Sequence, residues 1–134
     1  MTETPRFTVV VPMLNEADNV EPMAREIAAA CTPLGPFEAI FINDGSTDAT
    51  AERIAAQRAE FPWLREIRHA RSCGQSAALL SGVIAARAAI ICTIDGDGQN
   101  DPAFIPVLYA ALEEGGPGAG LAQGQRTGRK DGRL

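Results

Sequence analysis

The sequence predicts an α/β domain, a three-layer α/β/α arrangement around a mostly parallel sheet. Two observations predict it. Five short apolar segments alternate with amphipathic or alanine-rich ones, in the order βαβαβαβαβ. Such alternation builds right-handed crossovers with helices on both sheet faces. Polar side chains also follow every apolar segment, at what would be the carboxyl ends of the strands, where open α/β sheets bind ligands.

The elements follow in order. Residues 7–11 (FTVVV) are β-branched, short and stopped by Pro12, as expected of a buried strand. Asp18 is placed to cap the next helix, with Glu21 completing a capping box and Pro22 tolerated in the first turn. Val20, Met23, Ile27 and Cys31 recur at helical spacing, and the Pro and Gly of residues 32–36 end the element. Residues 37–42 form the second strand, and a helix capped by Ser46 or Thr47 carries Ala51, Ile54 and Ala55 inward. Residues 64–68 are a shorter third strand, and residues 75–87 a small-residue helix with Leu79, Leu80, Val83 and Ile84 as its apolar positions. Residues 89–94 (AIICTI) read as the fourth strand. Pro102 suits the first turn of a helix to about Glu114, and residues 121–125 read as a fifth strand.

The 134 residues fit one domain, 1–134, with residues 124–134 as an exposed Gly- and Arg-rich tail. A chain of this size buries roughly two-thirds of its unfolded surface. Hydrophobic residues at 46% and charged residues at 22% are ordinary for a soluble globular protein. The net charge of -5 argues against a nucleic-acid surface, which needs a basic face. It does not argue against a phosphate ligand, because a bound metal ion reverses the local field. Cys31, Cys73 and Cys92 match no ribbon or redox spacing, so a reduced, cytoplasmic setting is expected, with Cys31 and Cys92 in the core and Cys73 in a loop. No segment has the roughly 18 apolar residues of a membrane helix.

Asp95-Gly96-Asp97 is the strongest chemical signal. Two carboxylates two residues apart at a strand end can share a hard cation, Mg²⁺ or Mn²⁺, which prefers oxygen ligands and takes up substrate phosphates. Gln99 can add a further oxygen. Asp and Gly also make ordinary turns, and only the position after an apolar strand raises the pair above that. Asp44, on the second strand end, is placed to accept a ligand hydrogen bond. Asn15 and Glu16 read by themselves as turn and helix-entry residues, and Arg71 and Arg126 as phosphate clamps only through their strand-end positions. His69 is expected to be structural, having no Ser or Cys partner at a recognisable spacing.

These segments resemble family 2 glycosyltransferases. VVVPMLNEADNV is similar to their opening strand-Pro-Asn-Glu, and FINDGSTDAT to their Asp-Asp-Gly-Ser motif. HARSCGQSAALLSG is similar to their Arg-Asn-x-Gly segment. IDGDGQNDP resembles the Asp-x-Asp-x-Gln-x-x-Pro form typical of dolichol- and polyprenyl-phosphate sugar transferases, and GQR their later Gly-Ser-Arg. The departures are Asn43 for the usual first Asp, Asn100 after Gln99, and Ser72-Cys73 in the third segment.

The resemblance implies the GT-A fold, a GDP- or UDP-sugar donor, a divalent metal, inversion at the anomeric carbon and a lipid-phosphate acceptor. It implies that Pro12, Asn15 and Glu16 line the base and ribose pocket, that Asp44 contacts the nucleoside and that Arg71 faces the donor. Asp95 then sits near ribose and metal, and Asp97 and Gln99 hold metal and diphosphate. Arg126 holds phosphates or acceptor, so Asp97 and Arg126 carry the catalysis. Family members continue further, so a chain ending at Leu134 is expected to be truncated on its C-terminal side, binding donor better than it transfers sugar, and at the cytoplasmic membrane face when longer. An unpaired strand near Leu121 would leave a sheet edge open to self-association. Two rivals remain. A haloacid-dehalogenase-like phosphatase also carries Asp-x-Asp after a strand, but needs a downstream Lys, and only Lys130 follows. The other is a non-catalytic nucleotide-binding module.

Overall fold

The computed structural model describes residues 4–95 and 102–114. Four strands, β1 (Thr8–Met13), β2 (Glu38–Asp44), β3 (Leu64–His69) and β4 (Ile91–Thr93), form one parallel sheet in the order β3-β2-β1-β4. The helices are α1 (Ala17–Cys31), α2 (Thr50–Glu60), α3 (Gln75–Ala85) and α4 (Ile105–Glu114), the last entered through a 3₁₀ turn at Pro102–Phe104. The three-layer α/β/α expectation is met. The expected fifth strand at residues 121–125 and the tail at 124–134 lie outside the described residues.

Strand alternation divides the core in two. On one face Val9, Val11 and Met13 of β1 and Phe41 of β2 pack with Val20, Met23 and Ile27 of α1, Ile54 of α2, and Ile105 and Tyr109 of α4. On the other, Val10, Ile40 and Ile42 pack against Ala78 of α3. Every residue of β2 is buried, as a central parallel strand covered on both faces requires. Cys31 and Cys92 are in the first cluster, and Cys73 is exposed. Among the described residues no helix is long and apolar enough to cross a membrane.

The helix starts differ from the sequence expectation. α1 begins at Ala17, two residues before the start that an Asp18 cap would set. Glu16 precedes its first residue and makes no side-chain capping bond. The capping acceptor comes from another loop, because Ala17 N–H donates to Asp48 Oδ2 at 3.3 Å. Pro22 therefore falls past the first turn, where its ring removes a helical hydrogen bond. α2 begins at Thr50, whose N–H donates to Asp48 Oδ1 at 2.9 Å. Asp48, rather than Ser46 or Thr47, thus serves two helix entries.

Glu38 anchors the amino end of the sheet. It is buried and accepts from Thr8 Oγ1 (2.7 Å), Arg65 Nη1 (2.7 Å) and the Arg87 N–H (2.7 Å). Burial pushes its carboxyl group up. The bonds from the Arg87 N–H, Thr8 and Arg65 outweigh that and hold it below the ordinary carboxylate range.

α3 meets the sheet through small residues. Its buried positions are Ala78 and Gly82, while Leu80, Val83 and Ile84 are 59%, 44% and 75% exposed. A Cβ at position 82 would lie 2.4 Å from Val10 Cγ1 and 3.0 Å from Ile42 Cδ1. Val10 is fully buried and stiff at χ1, so it cannot swing aside. Overpacking costs about 1–3 kcal/mol, against about 1 kcal/mol gained from alanine's helix propensity. Gly82→Ala is expected to be net destabilising and to lower the thermal midpoint by a few degrees. A midpoint that stays level or rises in a calorimetric scan would show that the helix can shift outward without loss.

Candidate functional site

β1 is the topological switch. The chain passes from β1 through β2 to β3 on one side and then crosses to place β4 on the other. A crevice opens outside the carboxyl ends of such neighbouring strands. A cavity of about 240 Å³ lies there, lined in part by Pro12, Glu16, Asp44, Ser72, Gln75 and Asp95.

Three loops build the walls, and hydrogen bonds lock them together. Asn15 adopts a left-handed backbone, φ 54°, which Asn tolerates better than most residues. Its N–H donates to Ser46 Oγ at 2.9 Å, and its Oδ1 accepts from the Thr47 N–H at 2.8 Å. Glu16 N–H donates to Thr50 Oγ1 at 3.0 Å. The loop after β1 is thereby fixed to the loop after β2. Gly45 then brings the second loop against the third. Its φ is 72°, and a Cβ there would lie 2.3 Å from the Arg71 carbonyl carbon. No side chain fits between these two backbones.

Asp44 holds the third loop. Its Oδ1 accepts from the Cys73 N–H at 2.8 Å and faces His69 Nδ1 at 2.7 Å. Its Oδ2 accepts from Ser72 Oγ at 3.1 Å and the Gly74 N–H at 3.0 Å. Burial raises the carboxyl pKa. The Cys73 N–H, His69, the Gly74 N–H and Ser72 together more than offset this and hold it at about 2. His69 Nε2 meets Ser81 Oγ at 2.8 Å on α3, so the histidine is structural, as expected.

The structure gathers some of the sequence candidates and not others. Pro12, Glu16, Asp44 and Asp95 share the cavity. Asn15 fastens the loops from behind the lining, and Arg71 is exposed outside it. Asp97, Gln99 and Arg126 lie outside the described residues. Sequence reasoning passed over Ser72 and Gln75. Gln75 Nε2 donates to Asp95 Oδ1 at 3.1 Å, which links the third loop to the fourth strand end. Its place at the start of α3, directly after a strand-end loop, was the available signal. The Asp95 carboxylate presents oxygens at the cavity that would suit a hard cation, and the two other expected ligands, Asp97 and Gln99, also carry oxygen donors.

Asp44→Asn would turn an NH₂ group toward donors, and leaving them unpaired costs about 1–3 kcal/mol. Because the folded carboxyl sits at about 2 against an ordinary 3.8, its stabilisation is complete above pH 4 and is lost as pH falls toward 2. The stability gap between wild type and Asp44→Asn, measured by urea unfolding, is expected to be constant above pH 5 and to shrink between pH 4 and pH 2. A gap independent of pH would show that the carboxylate charge is not what holds the loop.

Known proteins resemble this chain in sequence and fold. The profile described as glycosyl transferase family 2 matches residues 8–133. A dodecaprenyl-phosphate galacturonate synthase of Rhizobium johnstonii is 40% identical over 130 residues, covering 94% of this chain and 37% of that protein. An undecaprenyl-phosphate 4-deoxy-4-formamido-L-arabinose transferase of Pseudomonas fluorescens is 34% identical over 122 residues, covering 89% of this chain and 36% of that protein. The chain thus spans little more than a third of the curated relatives it matches. Among solved structures, a Pyrobaculum calidifontis mannosyltransferase in complex with GDP-Man and Mn²⁺ superposes with a TM-score of 0.64 at 28% identity, covering 72% of this chain and 28% of that one. A Mycobacterium tuberculosis glucosyl-3-phosphoglycerate synthase in complex with Mn²⁺ and UDP gives 0.64 at 28% identity, covering 81% and 39%. The parallel sheet and its helices are those of the GT-A glycosyltransferases. With a profile match over nearly its whole length and a relative 40% identical across 94% of it, the chain belongs to glycosyl transferase family 2.

Proposed function

We propose that this chain forms the nucleotide-sugar half of a glycosyltransferase whose acceptor is a polyprenyl phosphate and which works at the cytoplasmic membrane face. One observation carries the reading. The loops after β1 and β2 and the end of β4 converge on a single cavity at the switch point, with Asp95 at its edge. The GDP-Man and UDP of the solved relatives and the polyprenyl phosphates in the relatives' names support the same choice of donor and acceptor.

Each residue then has a task. Pro12 and Glu16 form the wall for base and ribose, with Asn15 setting the loop that presents them. Asp44 keeps the third loop closed over the nucleoside side. Asp95, Asp97 and Gln99 hold a divalent cation, Mn²⁺ or Mg²⁺, which supplies Lewis-acid neutralisation of the departing diphosphate. Arg71, which stands exposed outside the cavity lining, and Arg126 would bring positive charge to the phosphates of a bound donor. The acceptor attacks the anomeric carbon from the face opposite the diphosphate, inverting it. A lipid phosphate is largely ionised near pH 7, so this chain's residues need only orient it, and no side chain is required as a base.

Isothermal titration of GDP and UDP, with Mn²⁺ and then with EDTA, tests the reading. One nucleotide is expected to bind in Mn²⁺ and to lose at least about tenfold in affinity in EDTA, Asp95→Ala or Asp97→Ala, since each removes a charge-assisted contact. Asp95 is exposed, so its variant should keep the wild-type melting temperature. Nucleotide affinity unchanged in Asp97→Ala would remove the metal assignment, and release of inorganic phosphate from a phosphomonoester would favour a phosphatase instead.

A further inference from the structure

The geometry points to a second, softer cation site formed by Asp44, His69 and Cys73, suited to Zn²⁺ and separate from the oxygen ligands at Asp95. Asp44 and His69 are register partners at the ends of the neighbouring strands β2 and β3. Cys73 is brought to them because its own N–H is held by Asp44. One carboxylate oxygen, one imidazole nitrogen and the Cys73 sulfur all lie within 4.8 Å of one another. Four-coordinate zinc, with bonds of about 2.0–2.3 Å, places its ligand atoms roughly 3.3–3.8 Å apart. The set therefore reaches zinc geometry with small side-chain motions. The sulfur closes in, while Nδ1 and Oδ1, now at 2.7 Å, open slightly to admit the ion.

Ligand chemistry selects the metal. A thiolate, an imidazole and a carboxylate form a borderline-soft set that favours zinc, whereas the Asp95 region offers oxygen alone. The histidine also has the outer partner that zinc-bound histidines usually have. Its Nε2 meets Ser81 Oγ at 2.8 Å. In the metal-free protein Nδ1 donates to the ionised Asp44, and the Ser81 hydroxyl at Nε2 can donate or accept. On zinc binding the Cys73 thiol proton leaves to solvent, the imidazole proton moves to Nε2, and Ser81 becomes the acceptor. A hydroxyl serves either way, so the ring keeps its orientation. Cys73 is exposed, which leaves the fourth position open to water. Zinc here would tie the loop of residues 71–74 to the sheet beside the donor cavity.

Cobalt substitution in the full chain, kept reduced with a phosphine, reads the site directly. One equivalent of Co²⁺ is expected to give a near-ultraviolet sulfur-to-cobalt charge-transfer band and the visible bands of a four-coordinate ion, both abolished by one equivalent of Zn²⁺. Cys73→Ser should lose the ultraviolet band and bind Zn²⁺ at least tenfold more weakly in competition with a chromophoric chelator. Its circular dichroism should be unchanged, since the side chain is exposed. Asp95→Ala should keep the band and the Zn²⁺ affinity. The proposal is overturned by absence of the band, by equal Zn²⁺ affinity in Cys73→Ser, or by a band that survives in a folded His69→Asn. That last result would mean the thiol binds metal without the imidazole.

Discussion

The carboxylate of Asp44 is the fastening on which the upper end of this molecule depends. It is buried at the end of the central strand β2, and its neighbours on the third loop are chiefly backbone N–H groups with no strand or helix to pair them. An ionised carboxylate accepting several such donors forms stronger bonds than a neutral amide could. Gly45 is its complement, because the loop can reach the carboxylate only where no side chain separates the two backbones. The cavity wall at Ser72, Gly74 and Gln75 is therefore a consequence of two adjacent residues, one supplying charge and the other supplying absence of bulk.

Glu38 does the matching task at the opposite end. It too is buried in the sheet, and it collects Thr8, Arg65 and the Arg87 N–H, which come from β1, from β3 and from the segment after α3. Between the two carboxylates, residues 9–11 of β1 and 39–42 of β2 are apolar on both faces. The sheet is thus clamped at each end by an ion and filled in the middle by close packing. Rigid strands with fixed ends allow the loops beyond them to carry polar side chains at defined positions.

Much of this was legible in the sequence because strand and helix periods are local. The β-branched run at residues 7–11, the largely apolar segment at 37–42 and the spacing of Val20, Met23 and Ile27 predicted the elements that bury them. The convergence of Pro12, Glu16, Asp44 and Asp95 was legible for a topological reason, since parallel strands all end on one side. Interactions between loops were not legible. Asp48 caps α1 across 31 residues of sequence, and Asn15 binds Ser46 and Thr47 at similar separations, where local capping rules predicted nearer partners. The face of α3 was also hidden. Its large apolar residues suggest a buried stripe, but the close approach at Gly82 turns the small residues inward.

The two strand-end aspartates show how surroundings divide one side chain between two tasks. Asp44 lies inside, its four accepting positions met by the third loop and His69, with its charge stabilised down to about pH 2. A carboxylate so occupied is a poor first choice for a labile, exchangeable cation, because a hard ion would have to displace several bonds at once. Asp95 stands at the cavity edge, exposed, with Gln75 steering one oxygen. A cation can reach it with its waters still attached, as Mg²⁺ and Mn²⁺ prefer. A softer ion faces a different balance at Asp44. A thiol and an imidazole already stand beside the carboxylate, so the contacts that must give way are the His69 bond to Asp44 and the Cys73 Sγ–H bond to the Arg71 carbonyl. The difference between the two aspartates therefore lies in their burial, which the flanking loops set.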